Sequence, residues 1–207
     1  MSIKPNYEPV PRLYPNCHAI FCATGPSLTD EVVEKIRAVR HKFLIVGVND
    51  AYKKIDFMDE HYACDAKWWK VHGDKINEMY PHLSKWCHDR EGAEYGAKIV
   101  KGKNGEGFSQ DNSYINTGCN SGYQVLNLGY HWGITKSLLV GYNMKPINGQ
   151  THFFQGREPT LRTQSPYNKF IKNFNTIQPE IAKTIINCTP NSALNTFYKQ
   201  PLEEAIL

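Results

Sequence analysis

The sequence predicts an α/β protein built on a doubly wound, mostly parallel sheet with helices on both faces. Three observations carry that reading. Short apolar runs at 17–23, 42–50, 59–65 and 136–144 alternate with segments of helical period at 28–40, 66–80 and 120–133, the pattern of strands joined by crossover helices. The best of these runs, "AIFCA" and "FLIVGV", are apolar throughout, as strands buried on both faces require. Prolines flank the segments instead of interrupting them, so no ladder or helix loses an amide. With 207 residues, 41% hydrophobic and 21% charged, the chain is long enough to close one full core.

Residues 1–16 carry four prolines and no period. They read as an N-terminal arm ahead of a single domain, 17–207. "CHAIFCA" (17–23) is the first strand. "LTDEVVEKIRAVR" (28–40) puts Val32, Val33, Ile36 and Val39 on one helical face, with Ser27 or Thr29 as cap and Asp30 and Glu31 in the first turn. "KFLIVGVND" (42–50) and "DEHYACD" (59–65) are the second and third strands. "AKWWKVHGDKINEMY" (66–80) is a helix and "GAKIVKG" (96–102) a further strand. The glycine- and asparagine-rich stretch 102–116 reads as a polar, mobile loop. A helix at 120–133, a strand at 136–144, a polar insertion read as a lid at 145–165 and a helix at about 166–176 follow. "AKTIINCTPNSAL" (182–194) supplies a last strand and turn, and "PLEEAI" (201–206) a last helical turn.

The net charge of +4 comes from scattered basic residues. It admits an anionic ligand without marking a nucleic-acid binder. Six cysteines, at 17, 22, 64, 87, 119 and 188, form no Cys-x-x-Cys pair and no zinc spacing, and read as reduced, buried thiols of a cytoplasmic protein. No signal-like N-terminus and no apolar stretch of membrane-spanning length is visible. A homo-oligomer is left open.

In an open parallel sheet, ligands bind beyond the carboxyl ends of the strands. The first strand delivers Thr24, Gly25, Pro26 and Ser27 there, the second Asn49 and Asp50, the third Asp65. The turn before the helix at 120 delivers Thr117, Gly118, Asn120, Ser121 and Gly122. The strand at 137–142 delivers Tyr142, Asn143 and the segment reaching His152, and the last strand Thr189, Asn191 and Ser192. Small polar residues at nearly every strand end suit a nucleotide cleft.

Each signal also has a plain structural reading. Gly25-Pro26-Ser27 is either a helix-opening turn or a phosphate turn. It is no Walker loop, since no Gly-Lys-Ser/Thr follows, and no dinucleotide fingerprint, since one glycine stands alone and Pro26 lacks an amide. Asn49 could read a base or ribose, or form a turn; Asp65 could bind ribose or a metal, or cap a helix; "NTGCNSG" could donate to a ligand, or simply turn and cap. His152, beside Phe153 and Phe154, could be a general base or a surface histidine. Lys145, Arg157 and Arg162 could neutralise a phosphate.

In order, "ATGPSL", Asn49, "NSGYQVLNLGYHWGITKSLLVGYNM" and "CTPNSAL" resemble the bacterial lipooligosaccharide sialyltransferases and the related MptE-like proteins, many of them phage-encoded. The resemblance spans most of 18–195. It implies a Rossmann-like, glycosyltransferase-like fold using a nucleotide sugar (CMP- or UDP-linked) as donor substrate, with no permanently bound cofactor and no required metal. Carried over, Gly25, Pro26 and Ser27 would lie along the phosphate and ribose. Asn49 would touch the nucleotide, and Ser121 with Gly122 the base or phosphate. The sialyltransferases place phosphate-holding tyrosines near where this chain has Lys145 and His152, and their general-base histidine further on, where this chain has none, since no histidine follows His152. That departure leaves His152 as the base and puts a sialyl donor in doubt.

The leading expectation is therefore a glycosyltransferase in which His152 deprotonates an acceptor hydroxyl while the 25–29 amides, Lys145 and an arginine meet the leaving phosphate. The acceptor would be a glycan or, if the chain is phage-encoded and works in the host cytoplasm, a modified DNA base. The rivals are an MptE-like pyrophosphokinase using ATP and magnesium, with Asp50 and Asp65 as candidate metal ligands, and a non-catalytic nucleotide-binding module.

Overall fold

The computed structural model describes residues 7–156, 158–161 and 165–207. In chain order the elements are β1 (His18–Cys22), α1 (Asp30–Val39), β2 (Leu44–Val48), β3 (Glu60–Tyr62), α2 (Ala66–Met79), β4 (Ser84–Cys87), β5 (Lys98–Ile99), β6 (Gly102–Lys103) and β7 (Ile115–Asn116). Then come α3 (Ser121–Trp132), β8 (Lys136–Val140), α4 (Tyr167–Phe174), α5 (Pro179–Ala182), β9 (Ile185–Asn187), β10 (Tyr198–Lys199) and α6 (Leu202–Ala205). Among the described residues, eight strands form one sheet in the order β10-β9-β8-β1-β2-β3-β4-β5. Every pairing in it is parallel. The predicted doubly wound α/β architecture is what the chain adopts.

The chain runs outward from β1 to β5 and then returns to β8 on the other side of β1, so that Ile20 pairs with Ile45 on one side and Leu138 on the other. This reversal opens a crevice between the carboxyl ends of β1 and β8.

Side-chain alternation explains the two helical layers. Ala19 and Phe21 of β1 face the cluster that includes Val125, Leu128 and Trp132 of α3. Ile20 and Cys22 face Val33 and Ile36 of α1 and Leu202 of α6. This is the two-residue period of a strand buried on both faces. Thr29 caps α1, its Oγ1 accepting from the Val32 amide at 3.3 Å, and Asp30 and Glu31 follow in the first turn. On α2, Trp68, Trp69 and Ile76 pack with Ala63, Cys87 and Ile99.

α3 is buried on almost every side. The reason is that other segments wrap it. Val10 and Tyr14 of the N-terminal segment join its cluster, and the Tyr14 ring meets Trp132 edge-on at 5.8 Å. The Tyr14 hydroxyl also donates to buried Glu60, which accepts a second bond from Trp86 Nε1 at 2.8 Å. The described part of the arm is therefore packed onto the sheet-bearing body.

The stretch 102–116 is not the unanchored loop its composition predicts. It contains the parallel ribbon β6–β7. Asn127, fully buried on α3, accepts from the Ser109 and Asn116 amides at 2.9 and 2.8 Å. Gln178 exchanges two 2.9 Å bonds with the Phe108 backbone. Four cysteines are buried, but Cys17 and Cys119 are exposed, so the expectation of uniformly buried thiols is corrected. Among the described residues, no helix is long and apolar enough to cross a membrane.

Candidate functional site

A cleft of about 310 Å³ occupies the crevice at the carboxyl ends of β1 and β8 and extends over β2 and β3. Thr24 and Gly25 reach it from β1, Asn49 from β2 and Asp65 from β3. Asn120, Ser121 and Gly122 reach it from the start of α3, and Lys145 and His152 from the segment after β8. Residues scattered over more than a hundred positions thus meet at one place. Pro26 and Ser27 instead line a neighbouring groove, on the side of α1 and β9. Thr117 is not part of the cleft lining; its hydroxyl donates to Asn104 at 3.2 Å, beside the β6–β7 ribbon. Arg157 and Arg162 lie outside the described residues.

The turn after β1 is bonded to the protein itself. The Gly25 amide donates to the Gly141 carbonyl at 2.9 Å, the Leu28 amide to Gly25 and the Thr29 amide to Ser27, both at 3.0 Å. The Ser27 amide and hydroxyl both donate to Asn143 Oδ1, at 3.2 and 2.8 Å, and Pro26 has no N–H to give. The expectation that the 25–29 amides meet a phosphate is therefore corrected. The turn clamps β1 to β8, and Asn143 Nδ2 extends the clamp to Pro190 beyond β9 at 3.2 Å. Gly25 is required by this closeness: a Cβ there would lie 2.3 Å from both Asn143 Oδ1 and the Gly141 oxygen.

The end of the cleft that favours an anion is α3. Asn120 caps this helix, accepting from the Tyr123 amide at 3.0 Å. The amides of Ser121 and Gly122, which line the cleft, have no hydrogen-bond partner among the described residues, as the first amides of a helix do not. They add to the positive end of the helix dipole. The Ser121 hydroxyl is committed to Cys64 Sγ at 3.0 Å, so its amide is the group left for a ligand. Burial pushes the Cys64 thiol well above its usual range and keeps it neutral. At Gly122 a Cβ would come within 2.7 Å of the Tyr142 ring, so the start of α3 seats directly on that tyrosine.

Asn49 sits at the floor in the left-handed region, φ +49, which asparagine tolerates better than most residues. Its carbonyl accepts from His61 Nε2 at 2.8 Å, while its buried Oδ1 has no hydrogen-bond partner among the described residues. Asp65 occupies the N-cap position of α2, but its carboxylate makes no capping bond. Asp50, one residue after Asn49, is 2% exposed and does not line the cleft. It is paired with Lys53 and His72 and accepts from Trp68, which corrects its expected role as a metal ligand. Among the described residues, no group of three or more His, Cys, Asp or Glu side chains could hold a metal ion.

His61 makes a prediction about pH. Burial pushes its imidazolium down from 6.5 to about 4. The unfolded chain takes up this proton below pH 6.5 and the folded one only near pH 4. Stability is therefore unaffected by this group above pH 6.5 and falls between 6.5 and 4, by about 1.4 kcal/mol per pH unit. Urea midpoints measured at several pH values across that window should show the decline, and His61→Gln should flatten it. An unchanged slope in the variant would assign the decline to other groups. Burial shifts His131 in the same direction.

A strap formed by the described residues after β8 crosses the cleft mouth. Thr24 grips it twice: its carbonyl accepts from the Phe153 amide at 3.0 Å, and its Oγ1 lies 3.1 Å from His152 Nδ1. Lys53 lies 4.3 Å above the Phe154 ring and Lys54 5.2 Å from that of Phe153. Leu161 then anchors in the Trp68–Trp69 cluster. On its return the chain enters α4, whose Tyr167 and Phe170 line the cleft. Sequence reasoning missed these two, together with Cys64 and Cys119. Tyr167, Phe170 and Phe174 do share a helical face, but that spacing marks a core-facing helix as readily as a site.

No protein-family model matches the sequence, and no curated protein matches it. Among solved structures, the chain is similar to a MAf glycosyltransferase from Magnetospirillum magneticum AMB-1, with a TM-score of 0.65 and 12% sequence identity. The match covers 97% of this chain and 36% of that one, so this chain spans about a third of that enzyme's length. The likeness is one of fold.

Proposed function

We propose that the protein is a glycosyltransferase that moves a sugar from a CMP- or UDP-linked donor to an acceptor hydroxyl. One observation carries the reading. A single cleft, at the sheet's reversal point, joins a helix start with two amides unpartnered among the described residues to a cationic side chain, a polar floor and a histidine on a strap. The amides of Ser121 and Gly122, with Lys145, would meet the nucleotide's phosphate charge. Asn49 and Asp65 would take the ribose or base. His152 would act on the acceptor: its proton moves to the imidazole, the acceptor oxygen bonds to the anomeric carbon, and the bond from that carbon to the phosphate oxygen breaks with its electron pair on the nucleotide. The imidazolium then loses its proton to water. The fold shared with a glycosyltransferase supports this assignment, as do the ordered motifs of the sialyltransferase and MptE-like group. The acceptor would be a glycan or a modified base, and no metal would be required.

The test is thermal unfolding with CMP, UDP, GDP and ATP, each with and without magnesium. A ligand at a hundred times its Kd stabilises by about 2.7 kcal/mol, roughly 5–11 °C in a domain of this size. A metal-independent shift by CMP or UDP is expected. A shift by ATP that needs magnesium would move the assignment to pyrophosphoryl transfer, and no shift by any nucleotide would sink both enzymatic readings. A nucleotide shift without turnover of CMP- or UDP-sugars would leave a binding module.

A further inference from the structure

We infer that Thr24 is a positioning residue: its Oγ1 accepts a hydrogen bond from His152 Nδ1–H and so holds the ring in the tautomer whose lone pair is on Nε2. The contact between Thr24 and the ring is independent of the glycosyl-transfer reading; the direction of the bond, and with it the tautomer, rests on that reading.

Thr24 holds the strap by a double grip. Thr24 is the second residue beyond β1, and its carbonyl already holds the Phe153 amide at 3.0 Å. The neighbouring side chain on the strap, His152, then presents Nδ1 to the same threonine at 3.1 Å. Two bonds from one residue to adjacent strap positions fix both the height of the strap and the edge of the ring. The ring's plane is fixed separately, because His152 stacks on Phe154 with centroids 5.4 Å apart and planes 21° apart. Phe154 is in turn covered by Lys53, which pairs with the buried Asp50. An imidazole held at its edge and over its face has lost the freedom to swap its two nitrogens.

A hydroxyl can satisfy Nδ1 in either sense, so the direction must come from the chemistry. If Thr24 donated, Nδ1 would be occupied as an acceptor and Nε2 would carry the proton, leaving the neutral ring with no lone pair to receive one. If Thr24 accepts, Nε2 carries the lone pair and the Thr24 hydrogen remains to donate into the cleft that Thr24 lines. The partner of one ring nitrogen sets the state of the other. Only the second arrangement gives a base. It also changes the role of Thr24 from a nucleotide contact to a group acting through His152.

The tautomer is directly observable. Protein carrying ring-labelled ¹⁵N-histidine should show His152, identified by its loss in His152→Ala, with a protonated Nδ1 and an unprotonated Nε2 above its titration. Thr24→Val, which keeps the shape and removes the acceptor, should lose that signature, and Thr24→Ser should restore it. Turnover is followed as hydrolysis of whichever CMP- or UDP-sugar is cleaved. There Thr24→Val should lower kcat at least about tenfold, with KM for the donor little changed, and Thr24→Ser should recover most of the rate. A protonated Nε2 in the unaltered protein overturns the inference, as does a Thr24→Val protein that keeps the original tautomer. The first of these needs no Thr24 variant to fold. If the tautomer follows Thr24 but no sugar nucleotide is cleaved, the positioning role stands and the glycosyl-transfer reading fails.

Discussion

His152→Ala should lower turnover of the sugar nucleotide about 10²–10⁴-fold while leaving the nucleotide-induced thermal shift in place. The separation of the two effects follows from where the groups sit. The amides proposed to face the phosphate belong to α3 and the polar floor to β2, and neither depends on the strap. The strap's main-chain bond from Phe153 to Thr24 also survives the substitution, as does the packing of Leu161. Removing the imidazole therefore deletes the proposed proton acceptor without dismantling the site. His152→Gln is the stricter comparison, because a carboxamide can still bond to Thr24 but takes up no proton near neutral pH. Equal loss in both variants assigns the effect to the base. Activity kept by glutamine and lost by alanine would make His152 a strap fastener, and activity within about tenfold of the original in both would end its assignment as a general base.

The sequence exposed the architecture more fully than the site. β1, β2 and β8 are visible because both faces of their inner residues are buried, so each carries an apolar run of three or more residues. β4 is not. In "SKWC" only Trp86 and Cys87 face hydrophobic clusters, while Lys85 is buried with its ammonium disfavoured by desolvation. Such a strand has no apolar run to show. Most of the proposed cleft residues do meet, because the ligand-facing end of a parallel sheet is a property of topology, and topology could be inferred from alternation. What composition could not show was which polar groups are already occupied. Ser27, Thr117 and Asp50 look like ligand-facing residues in one dimension, yet each is engaged by a partner distant in sequence or buried beside it. Tyr167 and Phe170 were hidden for the converse reason, since an amphipathic helix does not reveal which part of its apolar face stops short of the core.

The same distinction decides what Gly25 is for, and Gly25→Ala separates the answers. A glycine kept so that a phosphate can approach the backbone should be replaceable without much loss of stability, the penalty falling on binding. A glycine kept so that two strand ends can touch should show the reverse. The geometry is of the second kind. An added Cβ would meet Asn143 Oδ1 and the Gly141 oxygen, each at 2.3 Å, with the Gly141 carbonyl carbon at 3.0 Å. The Gly141 atoms are backbone and cannot rotate away. Relieving the clash means separating the ends of β1 and β8, which breaks the Gly25–Gly141 bond and disturbs the bonds of Ser27 to Asn143. Overpacking at about 1–3 kcal/mol together with a lost hydrogen bond at about 1 kcal/mol gives a cost of about 2–4 kcal/mol. In a domain of this size that is a fall of about 4–16 °C in Tm. Gly141→Ala should behave alike, since its φ is +76 and its Cβ would lie 2.4 Å from the Ala23 oxygen. Ser27→Ala, which removes only the hydroxyl bond to Asn143, should cost about 1 kcal/mol. A Gly25→Ala protein that melts with the original but no longer responds to any nucleotide would return the turn to the phosphate. A large fall in Tm, matched at Gly141 and small at Ser27, would make it the clasp that closes the floor of the crevice.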